Sequence, residues 1–474
     1  VTGESDAAFL PQRAATVPPA SLRPSGAATP VPARHFGVVA PAFPSHFSAL
    51  AALAGELVRR GHRVTFLHRP DAAAYLRSAP PGIAFHALGA GRFPPGSLAA
   101  ALRRAANPGS PLGLRRVILD MADATDMLCQ ELPAAIAALR IDALLGDQME
   151  AAAGLVAEAL QLPLVSVACA LPVNREAAIP LPVMPFGYDA SARGLQMVTG
   201  STGVYDWLMA PHRRAIERQA HRLGLPARGA LHECLSPLAQ ISQTIAGFDF
   251  PRLTLPAHFY HVGPLRAVAA TGAGAPPGAA AHHAITPLPA IDPHRPLVFA
   301  SLGTLQGQRF GTFQRIARAC RALDVQLLAA HCGGLTARQA QAVEQAGPPG
   351  ATTVCAFAPQ QAALAQAAAV VTHAGLNTVM DAIAAGRPML ALPIAFDQPG
   401  VAARVCHAGI GRRASARVTG AGALAVHLRA LLDEPAYRRR LAPLSAELAA
   451  AGGTARAADI VEAAMHPAMA GMPA

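Results

Sequence analysis

Short apolar runs alternate along this chain with segments in which apolar residues recur at helical spacing. HFGVVA (35–40) reads as a buried strand. Leu50, Leu53, Leu57 and Val58 then repeat with a helical period, Gly61 supplies the stop, and Val64–Leu67 reads as the next strand. Such a strand–helix–strand unit requires a parallel pair joined by a right-handed crossover. The same grammar returns at Ala143–Leu145, with Asp147 at the strand end, a helix over 149–160 and a strand at Leu164–Ala168.

The second half repeats it. Strands are predicted at Leu297–Ala300, Val325–Ala330, Thr353–Phe357, Val370–Thr372 and Met389–Leu392, with helices near 311–323, 336–345 and 376–385 and more helices to the end. The pattern predicts an α/β protein of two doubly wound, Rossmann-like domains, whose ligand-binding strand ends face one central cleft.

Two stretches lack the pattern. Residues 1–33 are rich in Pro, Ala, Ser and Thr and have no apolar core of signal-peptide length, so they read as a flexible leader. Residues 267–292 are a Pro/Gly/Ala stretch too long for a structureless loop inside one domain, and read as an interdomain linker. The expected organisation is therefore an N-terminal domain over 34–266, a C-terminal domain over 293–430 and terminal helices over 431–474.

Composition narrows the chemistry. Of 474 residues, 52% are hydrophobic and 14% charged, enough apolar content for real cores. Every apolar stretch is interrupted before the roughly 18 residues that span a bilayer, so the expectation is a cytoplasmic protein, soluble or peripheral at a membrane. All 39 basic residues are Arg. Without Lys, a P-loop ATPase, a pyridoxal enzyme and a protein kinase are all excluded. The net charge of +11 is spread over clusters such as Arg103-Arg104, Arg115-Arg116 and Arg438-Arg439-Arg440. These read as solvated helix faces and not as a nucleic-acid surface, because aromatics are not interleaved with them. Attraction to anionic lipid stays open. Seven scattered Cys, none spaced C-x-x-C, read as free thiols in a reducing compartment, and His282-His283 lack a third ligand, so no metal site is expected.

The sharpest motif is His373-Ala374-Gly375-Leu376-Asn377-Thr378, between a predicted strand and a predicted helix. Peptide N–H groups and the positive helix end suit a phosphate there. Asp381, one turn after Asn377, lies on the same helix face, where it can accept from a ribose hydroxyl. Ser301-Leu302-Gly303-Thr304 ends another strand with a Gly for close backbone approach and hydroxyls for phosphate oxygens. Taken singly, an ordinary helix cap and an ordinary turn explain these two loops. Phe357-Ala358-Pro359-Gln360 and Phe396-Asp397-Gln398 flank them and make that reading harder. On the first domain, His46 follows the first strand and Asp147 ends a later one, so a shared parallel sheet brings them to one edge. His46 is a candidate general base and Asp147 its orienting partner, with a helix-start bond and an N-cap as the structural alternatives. A dehydrogenase is disfavoured because no G-x-G-x-x-G follows the first strand.

FAPQQAALAQAAAVVTHAGLNTVMDAIAAGRPMLALPIAFDQP (357–399) resembles the nucleotide-sugar signature of family 1 glycosyltransferases, which have the two-domain GT-B fold. PAFPSHFSAL, the segment from GDQMEAAAG to MPFGY, FASLGTLQG and AHCGGL extend the resemblance over about 35–465, towards the zeaxanthin glucosyltransferases. The resemblance implies inverting, metal-independent transfer of glucose from UDP-glucose, with no further cofactor, to a hydroxyl of a lipophilic acceptor such as zeaxanthin. It implies that Phe357 stacks on uracil and the Ala358 backbone reads its edge. Gln360 and Asp381 hold the ribose; Ser301, Thr304, His373, Asn377 and Thr378, with Gly375 opening the helix, hold the diphosphate; Asp397 and Gln398 hold the sugar; His46 and Asp147 form the catalytic dyad. The chain departs in having Phe357 where Trp is usual, Asp381 where Glu is usual, and Ser45 before the His. A macrolide- or sterol-directed transferase, a UDP-sugar epimerase or hydrolase and an inactive binding subunit are the alternatives.

Overall fold

The computed structural model describes residues 32–267, 288 and 291–466. The leader up to residue 31 and most of 267–292, including His282-His283, lie outside the described residues.

The first sheet contains β1 (His35–Val39), β2 (Arg63–His68), β3 (Ile83–Ala87), β4 (Ala143–Asp147), β5 (Leu164–Ala168), β6 (Ala239–Ser242) and β7 (Phe259–His261), in the order β3-β2-β1-β4-β5-β6-β7. The second contains β8 (Leu297–Ser301), β9 (Gln326–Ala330), β10 (Thr352–Cys355), β11 (Ala369–Thr372), β12 (Met389–Ala391) and β13 (Gly411–Arg413), in the order β10-β9-β8-β11-β12-β13. Every strand pair is parallel. The strand order reverses between β1 and β4 in one sheet and between β8 and β11 in the other. At such points successive crossovers leave on opposite faces and open a crevice beyond the C-terminal strand ends. His46 and Asp147 belong to the first crevice, and Ser301 and His373 to the second.

The helix after β1, Pro44–Arg59, starts with Pro at its first position, where the missing N–H costs nothing. Leu50, Leu53 and Leu57 are fully buried in one cluster with Phe36 and Phe66. Gly61, at φ +93°, makes the left-handed turn that returns the chain into β2. One predicted strand ends early: β10 stops at Cys355, and Phe357 falls in the following loop. Pro359 has no N–H for the ladder, which favours an edge strand ending before it.

The last two helices diverge. Pro435–Ala450 buries Leu441, Leu444 and Leu448 in a cluster with helix Leu376–Ala384 of the second domain. Gly453–Ala464 instead buries Ala457, Ala458, Ile460 and Val461 in the first domain's cluster. The lobes are also joined through Leu171, Ile245 and Phe248, which pack within the second domain's core. Beside them Arg404 Nε donates to Asp249 Oδ1 at 2.6 Å and Arg252 Nε to Asp249 Oδ2 at 3.0 Å. The Arg404 guanidinium lies 4.2 Å from the centre of the Phe250 ring. Burial pushes the Asp249 carboxyl up, but the two guanidiniums outweigh it and hold it below its ordinary value.

Candidate active site

Asp147 is the last residue of β4 and has a fully buried side chain; His46 sits in the first turn of helix Pro44–Arg59 with 14% of its side chain exposed. His46 Nδ1 lies 2.7 Å from Asp147 Oδ2. The carboxylate is an acceptor, so Nδ1 carries the proton and Nε2 is left as the basic nitrogen. Asp147 Oδ1 accepts from the Met149 N–H at 2.8 Å, which fixes the carboxylate plane. Burial opposes a charged imidazole, but the Asp147 charge and hydrogen bond outweigh it, and Asp397 adds to them, so the His46 pKa is raised. This arrangement can take a proton at Nε2 and hold the resulting cation.

The second crevice is lined by loops that pack backbone on backbone. The His373 ring lies between two glycines: a Cβ on Gly303 would stand 2.6 Å from its Cε1, and one on Gly375 would stand 2.5 Å from its Nε2. Gly303 also has φ +74°. A Cβ on Gly307 would fall 1.9 Å from the His331 carbonyl oxygen, and one on Gly334 would fall 2.2 Å from the Gly307 carbonyl carbon. Side chains are thus excluded where the loops after β8, β9 and β11 converge. Burial lowers the His373 pKa to about 4, against a hydrogen bond to the Ser301 backbone that favours protonation. His373 is therefore neutral at physiological pH and can act only as a hydrogen-bonding group, not as a full charge. Its Nδ1 is buried without a hydrogen-bond partner among the described residues.

Gly375 is the N-cap of helix Leu376–Ala384, which turns its first N–H groups toward the same crevice. Thr304 is exposed, Asn377 half-buried, and Ser301 and Thr378 buried. Ala374 and Phe396, with φ of 65° and 57°, and Cys332 at 51° hold strained left-handed backbone in three loops that follow β11, β12 and β9. Such strain concentrates where binding geometry is set.

Gln360 Nε2 donates to Asp381 Oδ2 at 2.7 Å, so two residues expected at the ribose stand together. Asp381 Oδ1 accepts from Arg266 Nη2 at 2.9 Å, a partner that arrives from the end of the first domain. Phe357 and Ala358 are half-buried in the loop just before Gln360.

Asp397 bridges the two crevices. Its Oδ2 accepts from the Leu171 N–H at 3.2 Å. Burial raises the Asp397 pKa against that hydrogen bond and the nearby His46. Phe43, three residues before His46, meets Phe396 edge-on at 5.6 Å and lies 5.8 Å from the His46 ring. Gln398 is differently engaged: its Oε1 accepts from the Ile394 and Ala395 N–H groups, both at 2.9 Å, leaving only its amide nitrogen for a sugar. The apolar segment 168–188 takes part in joining the lobes. Ile179 packs with Phe250 and Ala403, and the Pro182 carbonyl accepts from the Gly400 N–H at 3.1 Å.

Residues 244–447 match the family model described as UDP-glucoronosyl and UDP-glucosyl transferase. A zeaxanthin glucosyltransferase of Pantoea ananas is 48% identical over 91% of this chain and 96% of its own length. One of Pseudescherichia vulneris is 46% identical over 91% of this chain and 98% of its own. The chain belongs to the UDP-glycosyltransferases. Among solved structures, the glycotransferase of kitacinnamycin superposes with a TM-score of 0.67 at 24% identity, over 92% of this chain and 99% of that one. The calicheamicin glycosyltransferase CalG4 does so with a TM-score of 0.67 at 20% identity, over 91% and 98%. The fold is GT-B, and this UDP-glycosyltransferase is a hexosyl-transferring enzyme.

Three contributors to the transferase's site had no signal in the sequence: Arg266, the Leu171 N–H and the thiol of Cys169. His46, Asp147 and Cys169 bring a ligand atom each to within 4.8 Å of one another, a trio of metal-ligating types at a place where no metal was expected. Burial, and then the Asp147 charge, push the Cys169 thiol well above its ordinary value. It is a protonated thiol at neutral pH, and a metal would first have to displace that proton. Five of the seven Cys are buried, Cys332 is half-buried and Cys406 is exposed. Among the described residues no helix is long and apolar enough to cross a membrane.

Proposed function

We propose that this UDP-glycosyltransferase moves glucose from UDP-glucose to a ring hydroxyl of zeaxanthin, with inversion at the anomeric carbon. The observation that carries the reading is the buried His46–Asp147 pair, electrostatically coupled to Asp397 of the opposite lobe. His46 Nε2 takes the proton of the acceptor hydroxyl, and its oxygen attacks the anomeric carbon from the face opposite UDP. The bond from that carbon to the β-phosphate oxygen breaks, and UDP leaves with the electron pair through an oxocarbenium-like transition state. Asp147 stabilises the imidazolium. Charge growing on the diphosphate meets the N-terminus of helix Leu376–Ala384, the neutral His373 and the hydroxyls of Ser301 and Thr304. Phe357 stacks on uracil beside the Ala358 backbone, Gln360 and Asp381 bind the ribose, Asn377 and Thr378 bind phosphate, and Asp397 and Gln398 bind the glucose hydroxyls. No step in this scheme needs a divalent cation, so activity should survive EDTA; strict dependence on Mg²⁺ would contradict it.

The acceptor is supported by the relatives named for zeaxanthin, together covering over nine-tenths of the chain at 46% identity or more. Incubation with UDP-glucose and zeaxanthin, followed by mass analysis for added hexose, tests it directly. Release of free glucose or an epimerised donor without acceptor would instead indicate a hydrolase or epimerase. A carotenoid resides in lipid, and we place the protein in the cytoplasm, at the membrane surface. Leu112, Arg115, Arg116 and Leu119 lie at helical spacing on one face of helix Pro111–Leu139; all are exposed, Leu112 at 75%. Apolar and basic side chains so combined suit an anionic bilayer surface. Co-sedimentation with acidic vesicles at low salt, weakened by Leu112→Ser with Arg115→Gln and Arg116→Gln, is the expected result.

A further inference from the structure

We infer that Arg266 is a positioning residue for the nucleotide, a guanidinium supplied from the end of the first domain that presets Asp381 and adds positive charge beside the diphosphate site. This rests on the reading of the Gln360–Asp381 and Gly375–Thr378 regions as the UDP-binding face.

Arg266 ends the segment that runs on from β7. Its backbone is clamped: the Arg266 N–H donates to Thr454 Oγ1 at 2.8 Å, and the Thr454 hydroxyl donates to the Arg266 carbonyl, also at 2.8 Å. Thr454 is buried in the first turn of helix Gly453–Ala464. From that anchor the side chain reaches the other lobe. Nη2 donates to Asp381 Oδ1 at 2.9 Å and to the Asn377 carbonyl at 3.3 Å, and Nη1 donates to Asn377 Oδ1 at 3.4 Å. One guanidinium thus touches two residues of the phosphate and ribose face at once, one through its side chain and the other through side chain and backbone.

Its location argues for more than fold stability. A cation beside the first turn of a helix is opposed by the helix dipole, which favours anions there. Asp381 compensates in the free protein. A bound diphosphate would turn the unfavourable placement into a favourable one, since the guanidinium and the helix N-terminus would then both face negative charge. The Asp381 carboxylate is held at a defined place by Arg266 on one oxygen and Gln360 on the other. His373 is neutral, so its ring brings no full positive charge to that face.

The test is UDP affinity of the full chain by titration calorimetry without acceptor, together with steady-state kinetics. Arg266→Met should weaken UDP binding and raise KM for UDP-glucose about tenfold, the scale of one charged hydrogen bond. The acceptor KM should stay within about twofold, a split from the donor side that a general loosening of the fold would not produce. Arg266→Lys should retain part of the affinity, and Thr454→Val should weaken it in the same direction by less. In an Asp381→Asn background, adding Arg266→Met should have a smaller effect than it has alone. Unchanged UDP affinity in Arg266→Met, or fully additive effects in the double variant, would overturn the role of Arg266. If Asp381→Asn itself left UDP binding untouched, the underlying assignment of the nucleotide face would fall instead.

Discussion

Asp147 decides over what pH range His46 can serve as a base. Because burial is outweighed by the Asp147 charge and hydrogen bond, the imidazole stays protonated to a higher pH than a free histidine. A base must be neutral to act, so kcat/KM should rise with pH through a midpoint above 6.5. Asp147→Asn should move that midpoint down and depress kcat, since the imidazolium loses its counter-charge; an acid limb left where it was would count against the pairing. His46→Ala should cut turnover by roughly 10²–10⁴ while leaving UDP affinity near its original value. At this scale the dyad was legible in advance, because one residue followed a strand and the other ended one, and parallel sheets align such positions along one edge. Arg266 was not. Its significance comes from a partner 115 positions away and an anchor 188 away, and neither separation leaves a periodic trace.

Element by element, the strands and helices that carry the site follow from local pattern, while their ends respond to single residues. β5 runs over Leu164–Ala168 as its apolar run predicts, whereas β10 stops at Cys355, before the Phe357 at which its apolar run predicts the end. The helix expected over 149–160 starts at Ala151, because Glu150 caps it by accepting from the Ala152 N–H at 3.2 Å. The loops after β8 and β11 depend on two glycines that enclose His373. Gly375→Ala would put a methyl 2.5 Å from that ring, and Gly303→Ala would add a left-handed φ of +74°. Each should destabilise the fold by about 1–3 kcal/mol and weaken UDP binding more than it affects the acceptor KM. Denaturant titration and calorimetry read the two effects separately. The motif spacing pointed to a phosphate loop here, and only the three-dimensional packing explains why both positions must be glycine.

Across the whole molecule, two tandem doubly wound sheets were foreseeable from the repeated alternation of runs, but the joint between them was not. Arg404 and Asp249 look unremarkable in sequence, yet each side chain is 1% exposed and they hold the lobes together. Arg404→Met should destabilise the protein by about 3 kcal/mol, the low end for breaking a buried pair, because Arg252 still accompanies Asp249. The unfolding midpoint in urea reports it. Helix Gly453–Ala464 has a different consequence. Its buried Ile460 and Val461 contribute roughly 1.5–3 kcal/mol each to a core otherwise built from the chain's first half. During synthesis on the ribosome, residues 34–266 therefore emerge with an apolar gap that closes only some two hundred positions later. Made alone, that fragment should aggregate or bind chaperones, and a peptide spanning 453–464 supplied in trans should restore solubility.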